Sequence, residues 1–326
     1  MKEFIVGKND AGQRLDRFVS KVVPALPSSL TQKYIRLKRI KVNGKTAKRD
    51  YRLADGDRVQ MYISDKFLET AKVKASSLEI SEISPDLDIV YEDSNIIIIN
   101  KPAGLLCYDT RNLDKNTLIN KIQAYTAQNS EWQPHNENYF SPALCNRIDR
   151  NTSGIVITAK NAEALRIINE KIKIKEIDKF YLTVVHGTPK PESGLLSGYI
   201  SKDGKRNLVK VTSTNTPDTK LAETEYKTLS VSDFIEHSPL SLLECKLITG
   251  RTHQIRAQLA HIGHPILGDT KYGVREKNSL FSETHQALCS YKIVFSFSTD
   301  AGILNYLKGK SFELSNIQFI EKYFAP

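Results

Sequence analysis

The chain has 326 residues, 40% hydrophobic and 26% charged, an ordinary globular composition that excludes disordered, collagenous and coiled-coil classes. Its 47 Lys and Arg against 37 Asp and Glu leave a net charge of +10, and residues 1–64 alone carry +9 of it, so the remainder is nearly neutral. No apolar run approaches the roughly 18 residues of a membrane span, and the first ten residues hold too short an apolar patch for a secretory signal, so a soluble, cytoplasmic protein that contacts no membrane is expected.

The cysteines Cys107, Cys145, Cys245 and Cys289 stand far apart without a C-x-x-C pair, as reduced and mostly buried thiols do. At about 100 to 200 residues per domain the length allows two domains. In chain order, residues 12–21 place Leu15, Phe18 and Val19 at helical spacing, and a second helix is expected over residues 29–38. There Tyr34, Leu37 and Ile40 are expected to face inward, while Lys33, Arg36, Lys38 and Arg39 cover the outer sides and lie along a nucleic-acid backbone. A solubilising surface is the plain alternative for such charge; its confinement to the first fifth of the chain and its helical spacing favour polyanion binding. Asn43-Gly44 marks a hairpin, and Asp55-Gly56-Asp57 a turn into a strand over residues 59–63. A compact module over residues 1–64 follows, then a Ser-rich, charged linker over 65–84, then a second domain over 85–326.

That second domain opens with strands over residues 89–91 and 96–99, closed by Asn100-Lys-Pro-Ala-Gly104. Helices are expected over 117–125, 161–174 (Leu165, Ile168 and Ile172 on one face) and 254–262 (Ile255, Leu259 and Ile262, stopped by Gly263). Strands are expected over 155–159, 180–185, 223–231 and 242–248, and a polar inserted loop over 127–142. Strands outnumber helices and often follow one another directly, which argues for an α+β fold with a large mixed, mainly antiparallel sheet and against a doubly wound nucleotide fold. No phosphate-binding loop, dinucleotide fingerprint or internal repeat is present.

Two segments carry chemistry-bearing residues. Arg147-Ile-Asp-Arg-Asn-Thr-Ser-Gly154 sets Asp149 between two arginines in a turn before a buried strand. Its carboxylate can cap the turn and pair with an arginine, or do nucleophilic or base chemistry; the local pattern leaves both open. Thr249 to His264 puts Arg251, His253 and Arg256 around a strand-to-helix turn suited to anion capture. His253, His261 and His264 have no acidic or Cys ligand at a supporting spacing, so no metal site is expected and His253 is taken as a satisfied turn residue.

Asn146-Arg-Ile-Asp-Arg-Asn-Thr-Ser-Gly154 resembles the H-R-L-D-x-x-T-S-G signature of the RluA-type pseudouridine synthases. Lys179-Phe-Tyr181 is similar to their K-x-Y strand and Thr249 to Arg256 to their T-G-R-T-H-Q-I-R segment, with Asn100 to Gly104 and Gly268-Asp-x-x-Tyr-Gly273 in the matching order. Residues 12–63 resemble an S4 RNA-binding module. The resemblance implies an isomerase that converts uridine to pseudouridine in RNA, most similar to the enzymes of large-subunit (23S) ribosomal RNA, with residues 207–225 leaning toward the RluC branch. It implies Asp149 as the catalytic aspartate, Tyr181 as the tyrosine beneath the target base, Arg256 as the partner of the aspartate and Arg147 as the residue that helps displace the base. Lys33, Arg36, Lys38, Arg39 and Arg251 are then further RNA contacts, no cofactor or metal is needed, and the protein works as a monomer. Asn146 stands where many members have His, and Ile148 where they have Leu. A non-catalytic RNA-binding or ribosome-assembly factor on the same fold, and a nucleoside hydrolase that would release free uracil, are the competing functions.

Overall fold

The computed structural model describes residues 1–68, 83–108, 114–132, 140–203, 208–235 and 238–324. The first unit contains β1 (Lys2–Ile5), α1 (Leu15–Val22), α2 (Ser28–Arg36), β2 (Ile40–Val42), β3 (Lys45–Thr46) and β4 (Arg58–Met61). Its antiparallel sheet has the order β1-β4-β2-β3. Leu15, Phe18, Val19 and Val22 form the buried stripe of α1 and share one core with Ile35, Ile40, Val42, Val59 and Met61. Asn43 and Gly44 both have positive φ, +52° and +75°, which a two-residue hairpin turn of matching twist demands.

The second helix ends two residues earlier than its sequence suggests. Lys38 takes a left-handed conformation (φ +60°), and Arg39 N donates to the Tyr34 carbonyl at 2.9 Å, a closing pattern that stops the helix at Arg36. Lys38 and Arg39 therefore sit on the turn after α2, and the helix buries Thr31 and Ile35 while Leu37 is 51% exposed. The expected inward position of Leu37 is thus corrected: two residues past Ile35 at 3.6 residues per turn, it lies about 200° round the helix axis from the buried side.

The second unit contains β5 (Ile89–Glu92), β6 (Ile96–Lys101), α3 (Leu118–Gln128), β7 (Ala143–Leu144), β8 (Ser153–Ala159), α4 (Ala162–Lys173), β9 (Asp178–His186), β10 (Ser193–Asp203), β11 (Leu208–Thr212), β12 (Thr219–Ile235) and β13 (Ser238–Leu247). It continues with α5 (Gln254–His261), α6 (Arg275–Asn278), β14 (Leu288–Val294), a 3-10 turn (Gly302–Leu307), β15 (Ser311–Glu313) and α7 (Gln318–Phe324). One sheet runs β11-β10-β12-β13-β9-β14-β8-β6-β5, with β15 beside β14 and β7 beside β8. Among the pairings of these strands only β8–β14 is parallel. The outcome is a mixed α+β fold with a mainly antiparallel sheet.

Helices cover both faces of the sheet around β6 and β8, and the sequence of β6 explains why. Ile97 and Ile99 point into a core shared with α3 and α5, and Ile96 and Ile98 into one shared with α4 and the 3-10 turn, so a continuous isoleucine run is required instead of alternation. Each such buried side chain contributes about 1.5–3 kcal/mol. Asn161 and Thr117 cap α4 and α3 through their side chains. The polar segment expected as a loop over 127–142 begins with the end of α3, and residues 133–139 lie outside the described set, as does most of the expected linker. The strand expected over 223–231 is longer, Thr219–Ile235, with irregular register at Thr228/Ser230 and Ser232/Ile235. Ile262 caps the end of α5 and is 38% exposed, so only Ile255 and Leu259 of its expected apolar face are buried.

The candidate active site

Asp149 stands on the loop between β7 and β8, and that loop is held from several sides. Asn146 Oδ1 accepts from Ile157 N at 2.8 Å, Ile148 is buried, and its carbonyl faces the Cys107 thiol at 3.4 Å. Lys101 is fully buried, and its ammonium donates to the carbonyls of Pro102 (2.8 Å), Leu105 (2.8 Å) and Arg150 (3.0 Å), which ties the Asn100 to Gly104 turn to the Asp149 loop. Burial pushes the Lys101 pKa down to about 8, against the pull of Cys107 and Asp149. Gly154 has φ +111°, and a Cβ there would lie 2.2 Å from the Ser290 carbonyl oxygen. Only glycine lets β8 start against β14 at this point, a few residues after Asp149.

Arg256 reaches this loop from the first turns of α5. Its Nη1 donates to Asp149 Oδ2 at 2.8 Å, while Nε and Nη2 grip Asp269 Oδ2 and Oδ1 at 2.7 and 2.9 Å. Asp269 is buried, and its Oδ1 also accepts from Lys271 N (2.8 Å) and Tyr272 N (3.0 Å). Burial opposes the Arg256 charge, but hydrogen bonds and proximity first to Asp269 and then to Asp149 more than offset it, so its pKa lies above the ordinary guanidinium value. Burial likewise opposes the Asp269 charge, and Arg256 with the two amides outweighs it, holding that carboxyl below its usual range. The fork geometry makes Arg256 a rigid bridge between a buried anchor and the part-exposed Asp149.

A polar core beneath α5 fixes its start. Gln254 Oε1 accepts from Thr249 Oγ1 and Arg251 N, and its Nε2 donates to Glu223 O and Thr224 Oγ1. Gln258 Nε2 donates to Leu196 O and Ala222 O. Gln254 and Gln258 are buried with these partners, so the side of α5 next to Ile255 and Leu259 is a satisfied network in place of a solvated face.

Tyr181 on β9 is 6% exposed, in the same cluster as Ile148, and near enough to Asp149 to feel its charge; burial, partly opposed by a hydrogen bond with Ser290, raises its phenol pKa. Arg147 is exposed beside Asp149, and among the described residues no hydrogen bond or ion pair engages it. Arg251 is exposed, with Nε on the Leu221 carbonyl at 3.0 Å. Lys33, Arg36, Lys38 and Arg39 are exposed on the first unit, Arg39 lying over the Tyr34 ring at 5.6 Å. Among the histidines, His253 contacts Tyr272 and approaches Asp149, and His264 bonds the His186 carbonyl at 2.9 Å. Sequence reasoning gave no role to Asp269, Tyr272 or Lys101. All three lie in motifs it quoted, but what each touches is set by chain closure over distances that spacing does not encode.

A mainly antiparallel α+β sheet carrying a loop aspartate bridged by a buried arginine, preceded by a small basic unit, defines the class. The RNA pseudouridylate synthase family model matches residues 95–261 and the S4 domain matches residues 13–59. The chain is 33% identical over 297 residues to an uncharacterized RNA pseudouridine synthase of Mycoplasma genitalium, covering 90% of this chain and 88% of that one. It is 32% identical over 275 residues to the ribosomal large subunit pseudouridine synthase C of Vibrio vulnificus, covering 83% and 79%. The solved structure of human RNA pseudouridylate synthase domain containing 1 superposes with a TM-score of 0.53 at 20% identity, over 74% of this chain and 96% of that chain, and shares the fold. This chain belongs to the RNA pseudouridine synthase family and carries an S4 domain at its N-terminal end: it is an isomerase acting on RNA.

Proposed function

We propose that this protein isomerises uridines of large-subunit (23S) ribosomal RNA in the cytoplasm, working as a monomer, with Asp149 as its catalytic carboxylate. The observation that carries the proposal is the Asp149–Arg256–Asp269 bridge. A carboxylate 26% exposed at the rim is held at 2.8 Å by an arginine whose other face is locked on a fully covered aspartate. The bridge fixes Asp149 in one orientation while leaving part of its carboxylate open to a substrate.

Isomerisation breaks the N1–C1′ bond with its electrons going to the uracil. The detached ring turns, C5 joins C1′, C5 loses its proton and N1 gains one, so neither oxidation nor an outside reactant enters. Asp149 serves either by attacking C1′ or by removing a C2′ proton; in both routes it acts through one carboxylate oxygen. Tyr181, its hydroxyl kept protonated by burial, forms the floor under the base, and exposed Arg147 takes the place of the target uridine in its stack. Lys33, Arg36, Lys38, Arg39 and Arg251 contact the RNA backbone. In this proposal residues 1–64 form the RNA-binding domain, 65–84 the linker and 85–326 the catalytic domain. The ribosomal target is favoured by likeness to a relative named for the large ribosomal subunit.

Pseudouridine mapping of ribosomal RNA from cells with and without the protein tests the target, and sites lost only outside the large-subunit RNA would reject it. Asp149→Asn tests the chemistry. It keeps the volume, removes the reacting oxygen, and is expected to abolish turnover while leaving RNA affinity nearly unchanged.

A further inference from the structure

We propose that His253 is a positioning residue for the isomerisation: its Nε2–H faces Asp149 and, with Arg256, gathers the donors on Oδ2, leaving Oδ1 as the oxygen that meets the ribose. The inference rests on Asp149 being the reacting carboxylate. It begins with Tyr272, whose Oη accepts from Val209 N of β11 at 2.8 Å and lies 2.9 Å from His253 Nδ1. An oxygen that accepts the amide still has its own hydrogen to donate, and Nδ1 is the polar atom placed to take it. With Nδ1 as acceptor, a neutral imidazole carries its hydrogen on Nε2. That nitrogen stands 3.8 Å from Asp149 Oδ2, the same oxygen that receives Arg256 Nη1. Among the described residues the polar groups nearest Asp149 therefore crowd one oxygen and leave its twin unengaged.

The ring is held for this task. His253 caps the start of α5 with φ +52°, a backbone conformation uncommon outside glycine, and its side chain is 9% exposed. Its ring stands edge-on to Tyr272 (5.7 Å between centroids, 78°), and the Arg256 guanidinium lies over the other ring at 5.3 Å. Asp149, Arg256, Lys271 and Asp269 are the charged groups around it; burial outweighs the pull of the carboxylates and holds the imidazole below its ordinary range, hence neutral near pH 7. The chain of contacts from the β11 amide through Tyr272 and His253 to Asp149 makes the orientation of the carboxylate depend on β11.

The test uses the full chain with 15N-labelled histidine and unmodified large-subunit ribosomal RNA transcribed in vitro. The His253 signals, assigned by their loss in His253→Gln, are expected to report the Nε2–H tautomer at pH 7, and Tyr272→Phe to shift them toward a tautomer mixture. His253→Ala is expected to lower the single-turnover rate at saturating RNA about 10- to 100-fold, the cost of a misplaced reacting group, with the dissociation constant unchanged. Gln places an amide N–H near the Nε2 position, so His253→Gln should recover part of the rate. An Nδ1–H tautomer in the wild type, or full turnover by His253→Ala, would overturn the inference. If Ala does not fold, the wild-type tautomer and the Gln rate decide alone. Asp149→Asn separates the two readings: turnover by that variant removes the catalytic role of Asp149, whereas a dead Asp149→Asn beside a fully active His253→Ala removes only the role of His253.

Discussion

Arg256 serves two carboxylates, and their surroundings assign them different work. Asp269 has no exposed side-chain surface and meets the guanidinium fork with both oxygens, whereas Asp149 meets one Nη and keeps a solvent-facing edge. Removing one partner of a buried pair leaves an uncompensated charge, so Asp269→Asn should destabilise the fold by about 3–5 kcal/mol. Asp149→Asn, at a part-exposed site, should cost stability far less while costing all of the turnover. Urea unfolding of both variants checks the contrast; equal destabilisation would mean that the two carboxylates share one structural role. The sequence showed Asp149 and Arg256 as a pair only through the family's motifs, and Asp269 only as a letter in one. Its purpose appears when Gly268, whose added Cβ would fall 2.2 Å from the His285 carbonyl oxygen, lets the chain bend the carboxylate under α5.

At the scale of elements, legibility followed burial pattern. α1, α3, α4, β6, β8 and β9 stand out in the sequence because each carries a strong apolar stripe, run or cap. β10 and β11 do not: β10 contains Gly194 and Gly198 and alternates exposed with half-buried positions near the sheet edge. β14 mixes Ser290 and Lys292 into its run, and its place between β9 and β8 is a matter of topology that no local pattern announces. One element-scale clamp was equally invisible. Lys171 near the end of α4 donates to Glu176 Oε2 at 2.7 Å and to Thr299 O at 2.8 Å, and Glu176 also accepts from Ser298 and from Thr299 N, so α4 and the segment before the 3-10 turn are fastened together. Hydrogen bonds from Lys171 first and Ser298 next pull the Glu176 pKa down to about 2. The charged form is thus favoured in the folded state. Its stabilisation is complete above the ordinary glutamate range and disappears as pH falls through about 2. Glu176→Gln should therefore be less stable than wild type by a constant amount at pH 6 to 8, and the gap should close on acidification below about pH 4.5. Denaturant midpoints measured across that range decide it; a gap that persists at pH 2 would assign the effect to packing and not to charge.

Across the whole molecule, the excess charge and the Asp149 bridge occupy different units. Residues 1–64 hold +9 of the net +10, while the bridge around Asp149 lies in the nearly neutral remainder. The two units touch where Asn9 Oδ1 accepts from Ala162 N at 3.1 Å and Arg166 Nη1 donates to Ala11 O at 3.2 Å, at the start of α4. Asp149 precedes β8 and α4 follows it, so the two are separated along the chain by a strand of seven residues, about 23 Å at 3.3 Å each. Lys33, Arg36, Lys38 and Arg39 are exposed together on and just after α2, and their replacement by Gln removes four cations without touching the core around Ile35. For single-stranded contacts each neutralised phosphate adds about 0.7 to the slope of log affinity against log salt, so the fourfold variant should lose roughly 3 from that slope. Its single-turnover rate at saturating RNA should stay at the wild-type value, because nothing near Asp149 has changed. Removing residues 1–64 altogether should flatten the slope at least as far, with circular dichroism confirming that the remaining sheet folds. An unchanged slope in both proteins would return the N-terminal charge to a solubilising surface, and a fallen rate at saturation would mean that the basic unit also positions the target uridine.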